Sequence, residues 1–356
     1  MQTLENLSNA PWELRSISRA ETENVVWCLV NEDAVTVLPG FVFISELVRV
    51  SVPIVMMKKI VLITGATDGI GKETALNVAR AGSTAIVHGR NQQKIDDVVQ
   101  SILKDSIVVE RGGSAHGVCA DLSSLKAVEG LAAEVIDRFP TLNVVVSNAA
   151  VWTEERSTSK DGIELSFAVN QLAPFHLINR LLPTLLKNAP SRVVIVSSLA
   201  HTKYPTGQPQ AGMDHSQFSI DWDNIEAKSF DPYLVYALSK LLNVLHCNAL
   251  SRRSTAILED GRPAVTFNSL HPGVVDTPLL RGAKHLQPLV PLSIKPSDGA
   301  KMSTQLIFDE NVSATTGKYF SDGQEAAMNP LAESAENQEN LWSISEEYVK
   351  RALSAA

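Results

Sequence analysis

The sequence predicts an α/β fold: one doubly wound parallel sheet with helices on both faces. Three observations predict it. From Lys59 onwards, short apolar runs alternate with amphipathic segments of helical spacing, the signature of strands joined by crossover helices. The first apolar run ends in a glycine-rich turn, Thr64 to Gly71, that opens a helix, as phosphate-cradling turns do. Far downstream, Tyr236 and Lys240 are separated by Ala-Leu-Ser on a long helical segment, which sets a phenol and an ammonium on one helix face.

The elements follow in order. Ile60–Thr64 is a short apolar strand, and Lys72–Ala81 has helical spacing and stops at Gly82. Thr84–His88 is the second strand, followed by an amphipathic helix over Gln92–Leu103. Ser114–Cys119 is the third strand and Leu125–Arg138 the next helix. Asn143–Ser147 reads as a buried strand and Ile163–Asn188 as one long helix interrupted by proline. Arg192–Ser197 is the fifth strand, Pro232–Arg253 a long helix and Val265–Leu270 the sixth strand. No internal repeat and no linker after residue 58 is visible, so residues 57–356 form a single domain.

Residues 1–56 read differently. Their apolar residues keep no sustained period. They carry Glu5, Glu13, Glu21, Glu23, Glu32 and Asp33, whereas a transit peptide is acid-poor and a secretory signal opens basic. The expectation is a poorly ordered extension, or a translation start at Met57; a regulatory arm is the weaker alternative. No run reaches the roughly 20 apolar residues that span a bilayer, which points to the cytoplasm. The net charge of −8 argues against nucleic acid as a partner. Cys28, Cys119 and Cys247 lack metal-ligand spacing and read as free thiols. No metal site is expected.

The glycine-rich turn makes Gly65, Thr67, Asp68, Gly69, Ile70 and Gly71 candidates for cofactor binding, with a pyrophosphate at the helix N-terminus. After the second strand, an acidic residue would bind the ribose hydroxyls of NAD. Here stand Arg90 and Asn91, and a guanidinium suits a 2′-phosphate. NADP is therefore favoured over NAD. Asp121-Leu122, after the third strand, caps a helix or binds the adenine amino group, and both roles are compatible.

Ser198 follows the fifth strand, at the edge where such sheets place ligands, and its hydroxyl can stabilise developing negative charge on a carbonyl oxygen. A cation beside Tyr236 would favour the phenolate, making the tyrosine an acid–base group. Asn170 lies inside the long helix, where a buried amide needs partners; a water held there would relay protons to Lys240.

These pieces resemble the short-chain dehydrogenase/reductase family: TGATDGIG (64–71), Asp121-Leu122, SNAA (147–150), Asn170, Ser198, YALSK (236–240) and HPGVVDT (271–277), in the family's order over roughly residues 58–330. SNAA replaces the usual NNAG, a small change because alanine is close to glycine in size. The resemblance implies a Rossmann-type sheet and a catalytic tetrad of Asn170, Ser198, Tyr236 and Lys240. Tyr236 would be the general acid in reduction or the base in oxidation. Lys240 would bind the nicotinamide ribose and lower the phenol's pKa. Asn148, Ala149 and Ala150 would lie along the cofactor, and Pro272, Gly273, Val275 and Thr277 would flank the nicotinamide. YALSKLLNVLHCNALSRR (236–253), NSLHPGVVDTPL (268–279), GKYFSDG (317–323) and LWSISEE (341–347) look like the retinol dehydrogenase-like branch. That branch includes WW-domain oxidoreductases, although no WW domain is visible here. It implies a lipophilic carbonyl or alcohol substrate, as in a carbonyl reductase, and a homodimer through the long helices around Asn170 and Tyr236. A catalytically silent NADP-binding regulator of the same fold is the alternative.

Two segments are expected to shape the pocket: the polar loop Tyr204–Phe230 and the substrate loop at about 278–296. Leu286 to Leu292 within the latter is apolar and punctuated by prolines, as a lid would be; it also suits contact with a membrane surface. Tyr233 is expected as packing or substrate wall, Trp152 at the entrance, and His271 packed or hydrogen-bonded within its own turn.

Overall fold

A computed structural model describes the backbone of residues 13–19, 22–30 and 35–37, and the full chain over 58–202 and 219–355. The chain divides into two compact units, Met1–Met56 and Met57–Ala356. In the first, β1 (Glu13–Arg19), β2 (Thr22–Val30) and β3 (Val35–Val37) form a three-stranded antiparallel sheet, where no sustained strand period was visible. The remainder of residues 1–56, with the expected extension or later start, lies outside the described residues.

The second unit holds β4 (Ile60–Ile63), α1 (Gly69–Arg80), β5 (Thr84–Gly89), α2 (Gln92–Leu103), α3 (Ser106–Arg111), β6 (Ser114–Cys119), α4 (Leu125–Arg138) and β7 (Val144–Ser147). It continues through α5 (Leu165–Phe167), a π-helical turn at Ala168–Leu172, α6 (Ala173–Lys187), β8 (Ser191–Val196), α7 (Pro232–Arg253), β9 (Val265–Leu270), α8 (Pro278–Gly282) and a 3-10 stretch at Lys284–Leu292. It ends with α9 (Pro296–Phe308), β10 (Lys318–Ser321), β11 (Gln324–Ala326) and α10 (Ala335–Ala355).

Eight strands pair in the order β11-β10-β9-β8-β7-β4-β5-β6. All pairs are parallel except β10 with β11, so the expected parallel sheet carries one antiparallel edge. The chain runs from β4 outward to β6, then returns to place β7 on the other side of β4. That reversal opens a crevice at the carboxyl ends of β4 and β7, where open α/β sheets bind ligands. The central strands are apolar throughout because both faces are covered: Val61, Leu62, Ile63, Val144, Val145 and Val146 are each 0% exposed. Burying each such side chain contributes about 1.5–3 kcal/mol.

Helix starts are set by local side chains. Asn91, Asp105, Ser124 and Asp231 each accept a hydrogen bond from a first-turn amide of α2, α3, α4 and α7. Asp231 precedes Pro232, whose fixed φ suits the first helical position. The expected single helix over Ile163–Asn188 is instead α5, a π turn and α6. Pro174 explains the break, because it has no N–H to offer the carbonyl of Asn170 four residues back.

Every residue of α7 from Ser239 to Leu250 is buried. A helix covered all round sits inside its own protein, and α10 supplies part of the cover. Leu341, Trp342 and Val349 join Leu241, Leu245, Phe167 and Phe175 in one cluster. Arg252 and Arg253 pair with Glu339, and the Arg253 guanidinium lies 4.1 Å from the centre of the Trp342 ring. The helix face expected to meet a second subunit is thus occupied, in part, by the chain's own C-terminal helix. Cys119 and Cys247 are free thiols.

Candidate active site

The turn between β4 and α1 is held from three sides. Thr64 Oγ1 accepts from the amides of Asn148 and Ala149 at 2.9 and 3.0 Å. Asn148 Nδ2 donates to the carbonyls of Thr64 and Gly65 at 2.8 and 3.2 Å. His88 Nε2 donates to the Ala120 carbonyl at 3.1 Å, which leaves Nδ1 to accept from the Gly65 amide at 3.3 Å. Burial pushes His88 down to about 4, so it stays neutral and keeps that acceptor. Gly65 has φ +63°, and a Cβ there would lie 2.9 Å from the Ala149 Cα. A Cβ on Gly71 would lie 2.4 Å from the Gly65 carbonyl. Only glycine permits this close approach.

Above the turn lies a cavity of about 560 Å³, lined by Gly65, Thr67, Asp68, Gly69, Ile70, Arg90, Asp121, Leu122, Asn148, Ala149, Ala150 and Thr277, among others. The sequence-predicted cofactor residues therefore converge on this cavity and the one that adjoins it, with two exceptions. Asn91 caps α2 by accepting from the Lys94 amide, and Gly71 packs beneath the turn. Asp121 does cap locally, accepting from the Ser123 amide at 3.0 Å, and it pairs with Lys160 at 2.9 Å. Burial works against its ionisation, but the Lys160 ammonium and the Ser123 hydrogen bonds hold the carboxyl below its usual range. Arg90 is exposed on the cavity's rim and forms no ion pair among the described residues. A long cleft with a glycine floor at a helix N-terminus and a free guanidinium at one end fits a dinucleotide.

A second cavity of about 160 Å³ adjoins the first, sharing Ile70, Asn148, Ala150, Thr277 and Leu279. Ser198, Tyr236 and Lys240 line it, with Pro272, Gly273 and Val275. Its outer wall is apolar: Tyr233, Val274, Leu280, Leu286 and Leu289. The phenol of Tyr236 and the hydroxyl of Ser198 line this cavity together. Burial pushes that phenol up to about 12, and the nearby Ser198 offsets part of the rise. Burial also pushes Lys240 down to about 7. The expected lowering of the phenol by the lysine does not set its pKa in this structure: desolvation raises the phenol and lowers the lysine. Lys240 Nζ donates to the Val196 carbonyl at 3.0 Å and to Asn243 Oδ1 at 3.3 Å.

The Asn170 side chain serves the backbone. Its Oδ1 accepts from the Val151 amide at 2.8 Å, and Nδ2 donates to the Val151 carbonyl and Ser239 Oγ, each at 3.0 Å. Ser239 in turn donates to the Tyr236 carbonyl at 2.7 Å. Asn170 therefore ties the strand exit at Val151 to the helix that carries Tyr236.

The 3-10 stretch at Lys284–Leu292 closes the outer side of the second cavity. Glu154 Oε1 accepts from the Lys284 amide at 2.7 Å and from the Trp152 indole at 2.8 Å. Trp152 packs against Tyr236 and Tyr233, with ring centres 5.1 and 6.5 Å apart. His271, expected to pack or hydrogen-bond within its turn, instead accepts at Nδ1 from the Leu199 amide at 3.2 Å, outside that turn. The loop expected at Tyr204–Phe230 lies partly outside the described residues. Sequence reading missed His88, Glu154 and Asn243, whose partners lie far along the chain. Among the described residues no cluster of histidine, cysteine and carboxylate side chains suits a metal ion, and no helix is long and apolar enough to cross a membrane.

The family model "short chain dehydrogenase" matches residues 59–210. Human retinol dehydrogenase 13 is 34% identical over 302 residues, covering 81% of this chain and 83% of that protein. Human retinol dehydrogenase 14 is 31% identical, covering 85% and 90%. The WW domain-containing oxidoreductase of Pongo abelii is 30% identical, covering 83% of this chain and 69% of its own length. Among solved structures, a short chain dehydrogenase from Burkholderia cenocepacia J2315 in complex with NADP superposes with a TM-score of 0.57 at 21% identity, over 75% of this chain and 98% of that one. At that identity the likeness concerns the fold.

Proposed function

This chain belongs to the short chain dehydrogenase family, in its retinol dehydrogenase-like branch, and is an oxidoreductase; from that premise we propose that it interconverts a lipophilic aldehyde or ketone and the matching alcohol, with NADP as its cofactor. The observation that carries this reading is that Ser198, Tyr236 and Lys240 line one apolar-walled cavity that adjoins the glycine-floored cleft.

The cofactor would lie along Gly65 to Ile70, Asn148 and Ala149, with Arg90 at its 2′-phosphate and Lys240 at the nicotinamide ribose. When bound, it supplies or accepts the hydride. The chain's own residues do the rest. Ser198 orients the carbonyl oxygen, and Tyr236, protonated at neutral pH, gives that oxygen its proton. A charged Lys240 beside the phenol favours the phenolate left behind. Leu280, Leu286 and Leu289 exclude water and favour an apolar substrate. Retinol dehydrogenases 13 and 14 by name act on retinol, which agrees with that wall.

For assembly, burial of α7 by α10 favours a monomer over the expected homodimer; light scattering on the purified chain distinguishes them. At the lid, Leu292 is 73% exposed, which supports contact with a lipid surface, testable by sedimentation with liposomes. The function itself is tested by titrating the purified chain with NADPH and NADH, then supplying apolar aldehydes of increasing length. Tighter NADPH binding and turnover that improves with chain length are expected. Absence of turnover with every apolar carbonyl and alcohol would overturn the substrate class.

A further inference from the structure

The carbonyl of Asn170 and the ammonium of Lys240 are joined by a side chain that the sequence reading passed over. Asn243 lies three residues beyond Lys240 on α7 and is 2% exposed. Its Nδ2 donates to the Asn170 carbonyl at 2.6 Å, and its Oδ1 accepts from Lys240 Nζ at 3.3 Å. Neither bond can be reversed. A carbonyl oxygen only accepts and an ammonium only donates, so the amide has one orientation that satisfies both. The Asn170 carbonyl is open to this bond because Pro174 follows four residues later, within the π turn and the start of α6.

We propose that Asn243 is a positioning residue of the active site: it clamps the Lys240 ammonium against the Asn170 carbonyl and holds the lysine in its charged, donating state. The proposal rests on the reading above that Lys240 works as an ammonium beside Tyr236. The Asn243 amide bridges the Asn170 carbonyl and Lys240 Nζ directly. Such an amide carries no proton onward, so its effect is on orientation and on the lysine's basicity. An acceptor facing an ammonium favours the charged form. Here it acts against the desolvation that brings Lys240 down to about 7. The other titratable groups around Lys240 are uncharged near neutrality. Tyr236, on the same helix, lies with its ring centre 5.6 Å from Nζ and is pushed up to about 12. His201, beyond the end of β8, and His271, beyond the end of β9, are both pushed down to about 4 by burial. Cys247, two turns on, is pushed up to about 12.

The test is a titration by NMR of the full chain, reading the side-chain amide of Asn243 and the ε-carbon of Lys240. In the native chain both signals are expected to move with one midpoint. Asn243→Leu, which keeps the bulk and removes both bonds, is expected to lower the lysine's midpoint by about half a unit or more. Asn243→Asp restores an acceptor and adds charge, and is expected to raise it. Rates with NADPH should follow: the alkaline fall of kcat moves to lower pH in Asn243→Leu and to higher pH in Asn243→Asp. An Asn243 signal that ignores the lysine's titration overturns the proposal, as do shifts of the same sign in both variants. The native titration decides alone if a variant does not fold. A native chain without turnover would sink the functional reading while leaving the titration to judge Asn243.

Discussion

The Lys240 ammonium lies over the Tyr236 ring, 5.6 Å from its centre, while its nearest acceptor is the Val196 carbonyl at 3.0 Å. The lysine is thus anchored to the end of β8 and reaches the phenol through space. Because burial raises the phenol and lowers the lysine, the resting site holds a protonated tyrosine. In the proposed reaction it gives a proton, as carbonyl reduction requires. Oxidation needs the phenol pulled down first, and the charge on Lys240 is the group placed to do that.

Removing the phenolic hydroxyl isolates its contribution. Tyr236→Phe should lower kcat by roughly 10²–10⁴-fold, the range for a lost general acid. Binding of NADPH should stay within a few-fold of the native value. Steady-state rates and a fluorescence titration measure the two quantities separately; a variant with native turnover would remove Tyr236 from the chemistry.

In the proposed reading, Arg90 is the group on which cofactor choice turns. Arg90→Ala should weaken NADPH binding by roughly 10–100-fold, the loss of a hydrogen-bonded charge on a phosphate. NADH binding should barely change. Calorimetric titration with both nucleotides checks this, and an equal loss for the two would return Arg90 to the ordinary surface.

Glu154 couples the lid to the site wall through one oxygen shared by the Lys284 amide and the Trp152 indole. Glu154→Ala should free both donors and loosen the apolar wall. The expected result is a KM for apolar substrates raised by about three- to tenfold, from the loss of one or two hydrogen bonds, together with a changed tryptophan emission. An unchanged KM would make Glu154 a surface residue only.

Acid stability follows from buried histidines. Burial holds His88, His201 and His271 at about 4 and His246 at about 3, all below the ordinary value near 6.5. The unfolded chain binds more protons across that interval. Stability is therefore whole above about pH 6.5 and declines as the pH falls through 4. His246 packs between Phe175 and Trp342, and neither ring nitrogen has a partner among the described residues. His246→Phe keeps the ring contacts and removes the charge, so its Tm should fall less steeply with acid. Thermal unfolding from pH 7 to 4 gives both slopes.

Much of this was legible in the sequence, for a definite reason. Apolar period and turn chemistry are local, so the α2, β6, α4, α7 and β9 boundaries came out as expected. The glycine turn and the Tyr236–Lys240 spacing are local too. The break at Ala168–Leu172 left a local trace in Pro174, and that same proline was the one available sign that the Asn170 carbonyl needed another donor.

What the sequence by itself determined is the alternation of strand and helix, the glycine-rich turn and the Tyr236–Lys240 spacing, because each depends on neighbours a few positions away. Only the tertiary structure decided the rest. It brought Asn243 to Asn170 across 73 residues and Glu154 to Lys284 across 130. It laid α10 on α7, and it withdrew the Tyr236 phenol and Lys240 from water, which raises the phenol and lowers the lysine. Hydrogen bonds between distant segments and the loss of water around a charge depend on how the whole chain packs, and no local pattern encodes them.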